Sequence, residues 1–223
     1  NGRSRGLGDV YKRQTVQFQR AKALKLDGRD ICSLSAGEPD FGTPHFIVEA
    51  SIQALRDGLT RYGPAAGDPE LREAIARKLS AENGIPTTAA EVMVTNGGKQ
   101  AIYNLFQILL NPGDEVIIPS PYWLSYPEMA RLAQARPVPV PSSAESGFAL
   151  DLEALEAAIT PASRLLVINS PGNPTGRVLT LEELKALAEL VRRHPRLLVM
   201  ADEIYEYLLD DRVTHHSFAA VAP

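Results

Sequence analysis

Arg164-Leu165-Leu166-Val167-Ile168-Asn169-Ser170-Pro171-Gly172-Asn173-Pro174-Thr175-Gly176 begins as an apolar run and ends in a loop rich in proline and glycine. A run this short, bounded by turn residues, reads as a strand buried on both faces, over Arg164 to Asn169. The loop after it is bent and stiff, and its bonds Ser170-Pro171 and Asn173-Pro174 are both open to the cis form. Thr180 and Glu183 then have the spacing of a capping box, which predicts a helix reaching about Arg193. A second apolar run, Arg196 to Ala201, follows as a strand and ends at Asp202. Strand, crossover helix and strand in this order predict two parallel strands, and so a sheet covered by helices on both faces.

The same alternation extends outward in both directions. Upstream, the pattern predicts helices over Val16 to Leu26, after Pro44, from Asp68 to Gly84, over Gln100 to Leu110, from about Tyr126 to Ala135, and after the cap Asp151. The helix after Pro44 carries Phe46, Ile47, Ala50, Ala54 and Leu55 on one stripe. Strands are predicted at Glu91–Thr95, Glu115–Pro119 and Pro137–Val140. The expected fold class is therefore α/β, a three-layer sandwich with a mostly parallel central sheet. Asn1 to Gln14 read differently. They set Arg3, Arg5, Lys12 and Arg13 against Asp9 and have no apolar period, so they are expected to be a non-native or disordered tail.

Composition narrows the function classes. The net charge is −4 over 223 residues, and it becomes more negative once the basic tail is set aside. That argues against a nucleic-acid partner, whose backbone is held by lysine and arginine. The single cysteine, Cys32, can form no internal disulfide, which fits a reducing compartment and predicts a cytoplasmic protein. No stretch approaches the roughly 20 apolar residues of a membrane span, so no membrane partner is expected. The four histidines, His45, His194, His215 and His216, lack metal spacing, and no metal is expected. The absence of a Gly-x-Ser-x-Gly elbow leaves serine hydrolysis without support.

In open α/β sheets ligands bind beyond the carboxyl ends of the strands, and four strand ends here carry unusual residues. Thr95-Asn96-Gly97-Gly98-Lys99-Gln100 leaves backbone N–H groups bare at a helix start, which serves either as a phosphate cradle or as a tight turn. Gln100 stands where a P-loop would need Ser or Thr after the lysine, which disfavours ATP. Pro121-Tyr122-Trp123 offers an indole for a flat ring, or a core aromatic. Asn173 in the stiff loop is either a donor to a ligand or a turn residue. Asp202 ends a very apolar strand, where its charge calls for a cationic partner from ligand or protein. Tyr205 could point a phenol into the same crevice.

Six motifs in order resemble the class I aminotransferases of fold type I, closest to the bacterial aspartate aminotransferase branch, some of whose members also act on prephenate. They are Leu34-Ser35-Ala36-Gly37-Glu38-Pro39-Asp40-Phe41 with Thr43-Pro44, Arg61-Tyr62-Gly63-Pro64-Ala65-Ala66-Gly67, the Gly-Gly-Lys-Gln turn, Tyr122-Trp123, Asn173-Pro174-Thr175-Gly176 and Asp202-Glu203-Ile204-Tyr205. The resemblance covers about Val16 to Pro223. It implies pyridoxal 5′-phosphate as cofactor, with Gly97, Gly98 and Lys99 at its phosphate. Trp123 would lie on its ring face, Asn173 and Tyr205 at its phenolic oxygen, and Asp202 at its pyridinium nitrogen, which keeps the ring an electron sink. Tyr62 would reach the phosphate in a neighbouring subunit, which implies a homodimer. Gly37, Trp123 and Asn173 would face the α-carboxylate of the amino acid and 2-oxo acid substrates. The implied reaction carries an amino group from L-aspartate to 2-oxoglutarate. The implied domains are an N-terminal arm with part of a small domain over residues 15–45, and a cofactor-binding large domain over residues 46–223.

One part of the family pattern is not matched. The resemblance places a Schiff-base lysine about thirty residues past the Asp-Glu-x-Tyr motif, beyond Pro223. None of Lys12, Lys22, Lys25, Lys78, Lys99 and Lys185 occupies that position. The chain is thus expected to be an N-terminal fragment that is inactive alone. Two other classes fit parts of the pattern. One is a lyase or synthase using the same cofactor. The other is a non-catalytic aminotransferase-like sensor domain of a transcription regulator, for which nothing basic and helical precedes Thr15 except the tail Asn1 to Gln14.

Overall fold

The structure, a computed structural model, describes residue 16 and residues 19–32 and 41–222. The tail Asn1 to Gln14 and the Leu34–Asp40 part of the first motif, Gly37 included, lie outside the described residues. The chain divides into two compact units, residues 1–63 and residues 64–223. In the first, residues 19–26 are helical, and a helix spans His45–Arg56. The apolar stripe predicted for that second helix includes Phe46, Ile47 and Leu55, which all remain exposed.

The second unit is built on a four-stranded sheet. Its strands are β1 (Glu115–Ser120), β2 (Arg136–Pro141), β3 (Ser163–Asn169) and β4 (Leu198–Asp202), in the order β2-β1-β3-β4. All three pairings are parallel. Period-two alternation assigns each strand residue to one of two cores. Val116, Ile118, Leu165, Val167 and Met200 face one way, against Ile102 and Phe106 of the helix Gly98–Leu109 and Tyr126 and Met129 of the helix Ser125–Leu132. Ile117, Leu166 and Ile168 face the other way, against Leu155 of the helix Leu152–Ala158 and Leu184 and Leu187 of the helix Leu181–Arg192. Helices on both faces make the three layers expected from the sequence. Each such aliphatic side chain contributes about 1.5–3 kcal/mol on burial, so the two cores dominate the stability of this unit.

Topology decides where a ligand can sit. From β1 the chain moves outward to β2, then returns past β1 to β3 and continues the other way to β4. The direction of winding reverses between β1 and β3, and the crevice past their carboxyl ends is the expected binding place. On the outer side β2 carries Pro137, Pro139 and Pro141 at alternate positions. Strand geometry turns all three missing N–H groups away from β1, which blunts this edge against further pairing.

Several boundaries match their chemical signals. Asp68 accepts from the backbone N–H groups of Glu70 (2.9 Å) and Leu71 (3.1 Å) at the start of the helix Pro69–Glu82. Thr180 and Glu183 form the expected capping box. Ser170-Pro171 and Asn173-Pro174 are both cis, and so is Ser120-Pro121.

Other predictions are corrected. Glu91–Thr95 is not a strand. Ala89–Glu91 forms a 3₁₀ turn, and the extended residues after it make one backbone bond to Ala66, from the Val94 N–H at 2.9 Å. Apolar alternation gave this segment the look of a strand, but no described strand lies beside it to complete a ladder. The helix expected to reach Ala135 stops at Leu132, because Gln134 adopts φ 60° and the Ala135 N–H turns back to Ala130 O at 2.9 Å. A left-handed residue that is not glycine leaves no mark in the sequence. A short helix, Phe218–Val221, was not anticipated.

Candidate functional site

The carboxyl ends of β3 and β4 lie side by side, with Asn169 opposite Asp202 in register. This pairing brings two polar side chains to the mouth of the crevice. Asn169 donates from Nδ2 to the Asp202 carbonyl at 2.9 Å and accepts at Oδ1 from the Asn173 N–H at 2.8 Å. One amide thus ties the end of β4 to the stiff loop that carries Asn173. The sequence reading did not single out Asn169, because both bonds exist only once β3 and β4 are in register.

A cavity of about 210 Å³ opens here. It is lined by Gly98, Lys99, Trp123, Asn173, Asp202 and Tyr205, together with Tyr126, Asn169, Ile102 and Ile204. Six sequence candidates, from the start of the helix Gly98–Leu109 and from the ends of β1, β3 and β4, therefore share one wall. Gly97 is the N-cap immediately before Gly98. Tyr62 belongs to the first unit and is exposed, and Gly37 lies outside the described residues.

At one part of the wall, the helix Gly98–Leu109 starts with two glycines. Gly97 has φ 81°, a conformation side chains rarely adopt, and a Cβ built on Gly97 or Gly98 meets no atom within 4 Å. The Gly97 N–H turns back to Thr95 O at 2.8 Å and the Gln100 N–H reaches Gly97 O at 3.2 Å, so the helix starts on two glycines that border open space. The loop before them is held by the Gln100 side chain, which accepts from the Asn96 N–H at 2.6 Å, and by the Thr95 hydroxyl, which donates to Gly97 O at 2.9 Å. Gln100, which argued against a P-loop, thus serves to brace this turn.

Trp123 meets Tyr126 edge-to-face, with ring centroids 5.3 Å apart and planes at 81°. The Lys99 ammonium lies 5.0 Å from the Trp123 ring centroid. Asp202 is half-buried. It accepts from the Tyr126 hydroxyl at Oδ2 (2.6 Å) and from the Ile204 N–H at Oδ1 (3.3 Å). Burial, and then the charge of Asp202, push the Tyr126 phenol well above its ordinary pKa, so it stays protonated and remains a donor. Tyr126 is a second residue the sequence reading missed. It stands one helical turn after Trp123, a spacing that resembles simple core packing. Asn173 Nδ2 lies 3.5 Å from the Tyr205 hydroxyl, so an amide and a phenol converge on one point of the wall.

This arrangement can hold a flat ligand with an anionic end at the glycine turn, and a cationic group at Asp202. Asn173 and Tyr205 supply donors for an oxygen on the same ring.

Comparison with known proteins shows a family. The sequence pattern of the family described as "Aminotransferase class I and II" matches residues 29–220. The chain is 54% identical over 224 residues to an aspartate/prephenate aminotransferase of Thermus thermophilus, an alignment covering 100% of this chain and 57% of that protein. It is 52% identical over 216 residues to a bifunctional aspartate aminotransferase and glutamate/aspartate-prephenate aminotransferase of Petunia hybrida, covering 96% of this chain and 45% of that protein. Among solved structures, aspartate aminotransferase from Thermus thermophilus with maleate superposes with a TM-score of 0.90 at 50% identity, covering 94% of this chain and 55% of that chain. The chain spans about half the length of the curated relatives it matches.

Proposed function

The chain belongs to the class I and II aminotransferases, and from that premise we propose that the full-length protein moves an amino group from L-aspartate to 2-oxoglutarate, giving oxaloacetate and L-glutamate. Pyridoxal 5′-phosphate is the cofactor of this family. The observation that carries the reading is a single cavity that joins a helix start on two glycines to the half-buried Asp202 carboxylate, with the Asn173 amide and the Tyr205 phenol on the same wall. Those are the two features that a phosphorylated pyridinium ring needs, and the residues present fit it.

In this proposal the turn at Gly97, Gly98 and Lys99 holds the phosphate through its backbone, the Gly97 N–H itself being bonded to Thr95 O at 2.8 Å. The Asp202 carboxylate, kept in place by the Tyr126 hydroxyl, accepts a hydrogen bond from the protonated ring nitrogen and so keeps the proton there. Tyr205 and Asn173 donate to the ring oxygen, and Trp123 covers a ring face. When bound, the cofactor supplies an electron-withdrawing ring that takes up the electron pair released at the substrate's α-carbon. The chain's own contribution is to keep the ring nitrogen protonated, the ring oxygen hydrogen-bonded and the phosphate fixed.

Gly37, Trp123 and Asn173 are assigned to the substrate's α-carboxylate, and Tyr62 to the phosphate held by a second subunit of a cytoplasmic homodimer. Residues 15–45 are assigned to the arm and small domain, and residues 46–223 to the large domain. The imine-forming lysine is assigned to a part of the full-length protein outside this chain. Lys78 is paired with Glu206 and Lys99 lies over Trp123, so neither is given that role, and the chain alone is expected to be inactive.

The test is an assay of the purified full-length protein with L-aspartate and 2-oxoglutarate, with the products separated. Oxaloacetate and glutamate in equal amounts, dependent on added pyridoxal 5′-phosphate, are expected. Pyruvate and ammonia, or no turnover, would overturn the reading.

A further inference from the structure

The segment that brings Asp202 and Tyr205 to the cavity has little apolar anchorage of its own. It runs as two overlapping turns, with the Glu206 N–H on Glu203 O at 3.0 Å and the Leu208 N–H on Tyr205 O at 2.8 Å. Ile204, Tyr207 and Leu208 are 65%, 70% and 70% exposed. Hydrophobic burial therefore does little to set its position.

A closed polar network holds it instead. Glu203 and Glu206 do not line the cavity. Glu203 accepts from the Ser217 hydroxyl at 2.7 Å and the Phe218 N–H at 3.0 Å, with His215 Nε2 at 3.4 Å. Glu206 accepts from the Lys78 ammonium and from Asn83 Nδ2, the latter at 2.6 Å. Asn83 closes the circuit by donating its other amide hydrogen to Ser217 Oγ at 2.9 Å and accepting from Lys78 at 2.7 Å. Asn83 is the C-cap of the helix Pro69–Glu82 and Ser217 the N-cap of the helix Phe218–Val221. The network thus fastens the turn to two helix ends. Glu203, Glu206 and His215 also have the mutual spacing of a cation site, but the Lys78 ammonium already neutralises Glu206, and the hydroxyl and amide donors occupy the remaining carboxylate oxygens.

We propose that Glu203 and Glu206 are positioning residues, which through Asn83 and Ser217 hold the turn at the height where Asp202 meets the ring nitrogen and Tyr205 the ring oxygen. This rests on the assignment of the cavity to pyridoxal 5′-phosphate. A phenol donating to the ring oxygen favours its anionic form, so any drift of Tyr205 raises the pH at which the bound cofactor's visible absorption changes. Polar networks are cooperative, so removing one member loosens the others.

The experiment compares the full-length holoenzyme with Asn83→Ala, Ser217→Ala and the conservative Ser217→Thr. It reads the midpoint of the visible-band pH titration and the cofactor affinity of the apo form. Asn83→Ala and Ser217→Ala should raise the midpoint by about half a pH unit and weaken affinity by about fivefold, while Ser217→Thr keeps the parent values. If both alanine variants melt at lower temperature but keep the parent midpoint and affinity, the network is structural only and the proposal falls. Should Asn83→Ala not fold, Glu206→Gln is expected to shift the midpoint in the same direction, and an unchanged midpoint there would equally overturn it. A parent protein that develops no visible band with the cofactor would overturn the cavity assignment itself, a result distinct from the others.

Discussion

Gly97 and Gly98 are adjacent, border the same open space and differ in one physical respect. Gly97 sits at φ 81° while Gly98 has an ordinary backbone. Gly97→Ala forces a side chain into the positive-φ, extended-ψ region (φ 81°, ψ 163°) that is open essentially to glycine alone, at a cost of about 1–3 kcal/mol. Gly98→Ala costs no strain and replaces the poorest helix former after proline, so stability should hold or rise by up to about 1 kcal/mol. Both place a methyl at the proposed phosphate cradle. The expected pattern in the full-length protein is a cofactor affinity at least tenfold lower for both variants, with only Gly97→Ala less stable by urea denaturation. Equal affinity in Gly98→Ala would remove the phosphate from this turn. Tyr126→Phe tests the other pole. It keeps the ring in its core and takes the donor from Asp202, so a loss of about 1.5–3 kcal/mol is expected from the hydrogen bond to a charged acceptor. At this scale the sequence was most informative where a residue type contradicts its surroundings. Asp202 at the end of an apolar strand stood out for that reason. Tyr126 did not, because a tyrosine one turn from a tryptophan suits a core, and its hydroxyl acquires meaning only when β4 delivers Asp202 to it.

Individual elements were legible wherever a boundary is made by a residue with one dominant backbone habit. Asp68 with Pro69, and Thr180 with Glu183, marked helix starts that the structure keeps. Gln134 ends a helix in a conformation the sequence does not announce, and Val92–Thr95 has a strand's alternation without a described partner. Register was likewise hidden, and one buried charge helps to set it. Glu115 opens β1 opposite Arg136 of β2 and Ser163 of β3. Burial by itself would lift its pKa. Hydrogen bonds from Thr160 at 2.8 Å, Arg136 and Ser163 at 3.1 Å, with the guanidinium charge, outweigh that and hold the carboxyl below its usual range. The unfolded chain therefore binds a proton here before the folded one does. The stabilising contribution is complete above the ordinary glutamate value of about 4.3 and is lost as pH falls through the lower folded value. Urea midpoints of the parent should fall across that window more steeply than those of Glu115→Gln. Parallel curves would show that the clamp has no net weight.

For the whole molecule, the sheet's winding matters more than any motif. The reversal between β1 and β3 places the ends of β3 and β4 and the start of the helix Gly98–Leu109 around one cavity, and all of it lies within residues 64–223. Every group proposed to hold the cofactor without a covalent bond, apart from Tyr62, is therefore in that unit. The group proposed to bond it covalently is not. This separation predicts a specific behaviour for the 223-residue chain. Incubated with pyridoxal 5′-phosphate, it should bind reversibly. A ligand that prefers the folded state stabilises it by about 2.7 kcal/mol at a hundredfold excess over Kd, so the melting temperature should rise with cofactor concentration. Borohydride reduction followed by mass spectrometry should then leave no stoichiometric adduct on any lysine. A single adduct at Lys99 would mean that its ammonium, now over Trp123, swings to the reacting carbonyl, and the chain would carry its own imine-forming group. Absence of both adduct and thermal shift would mean that the cavity does not hold the cofactor without the covalent bond.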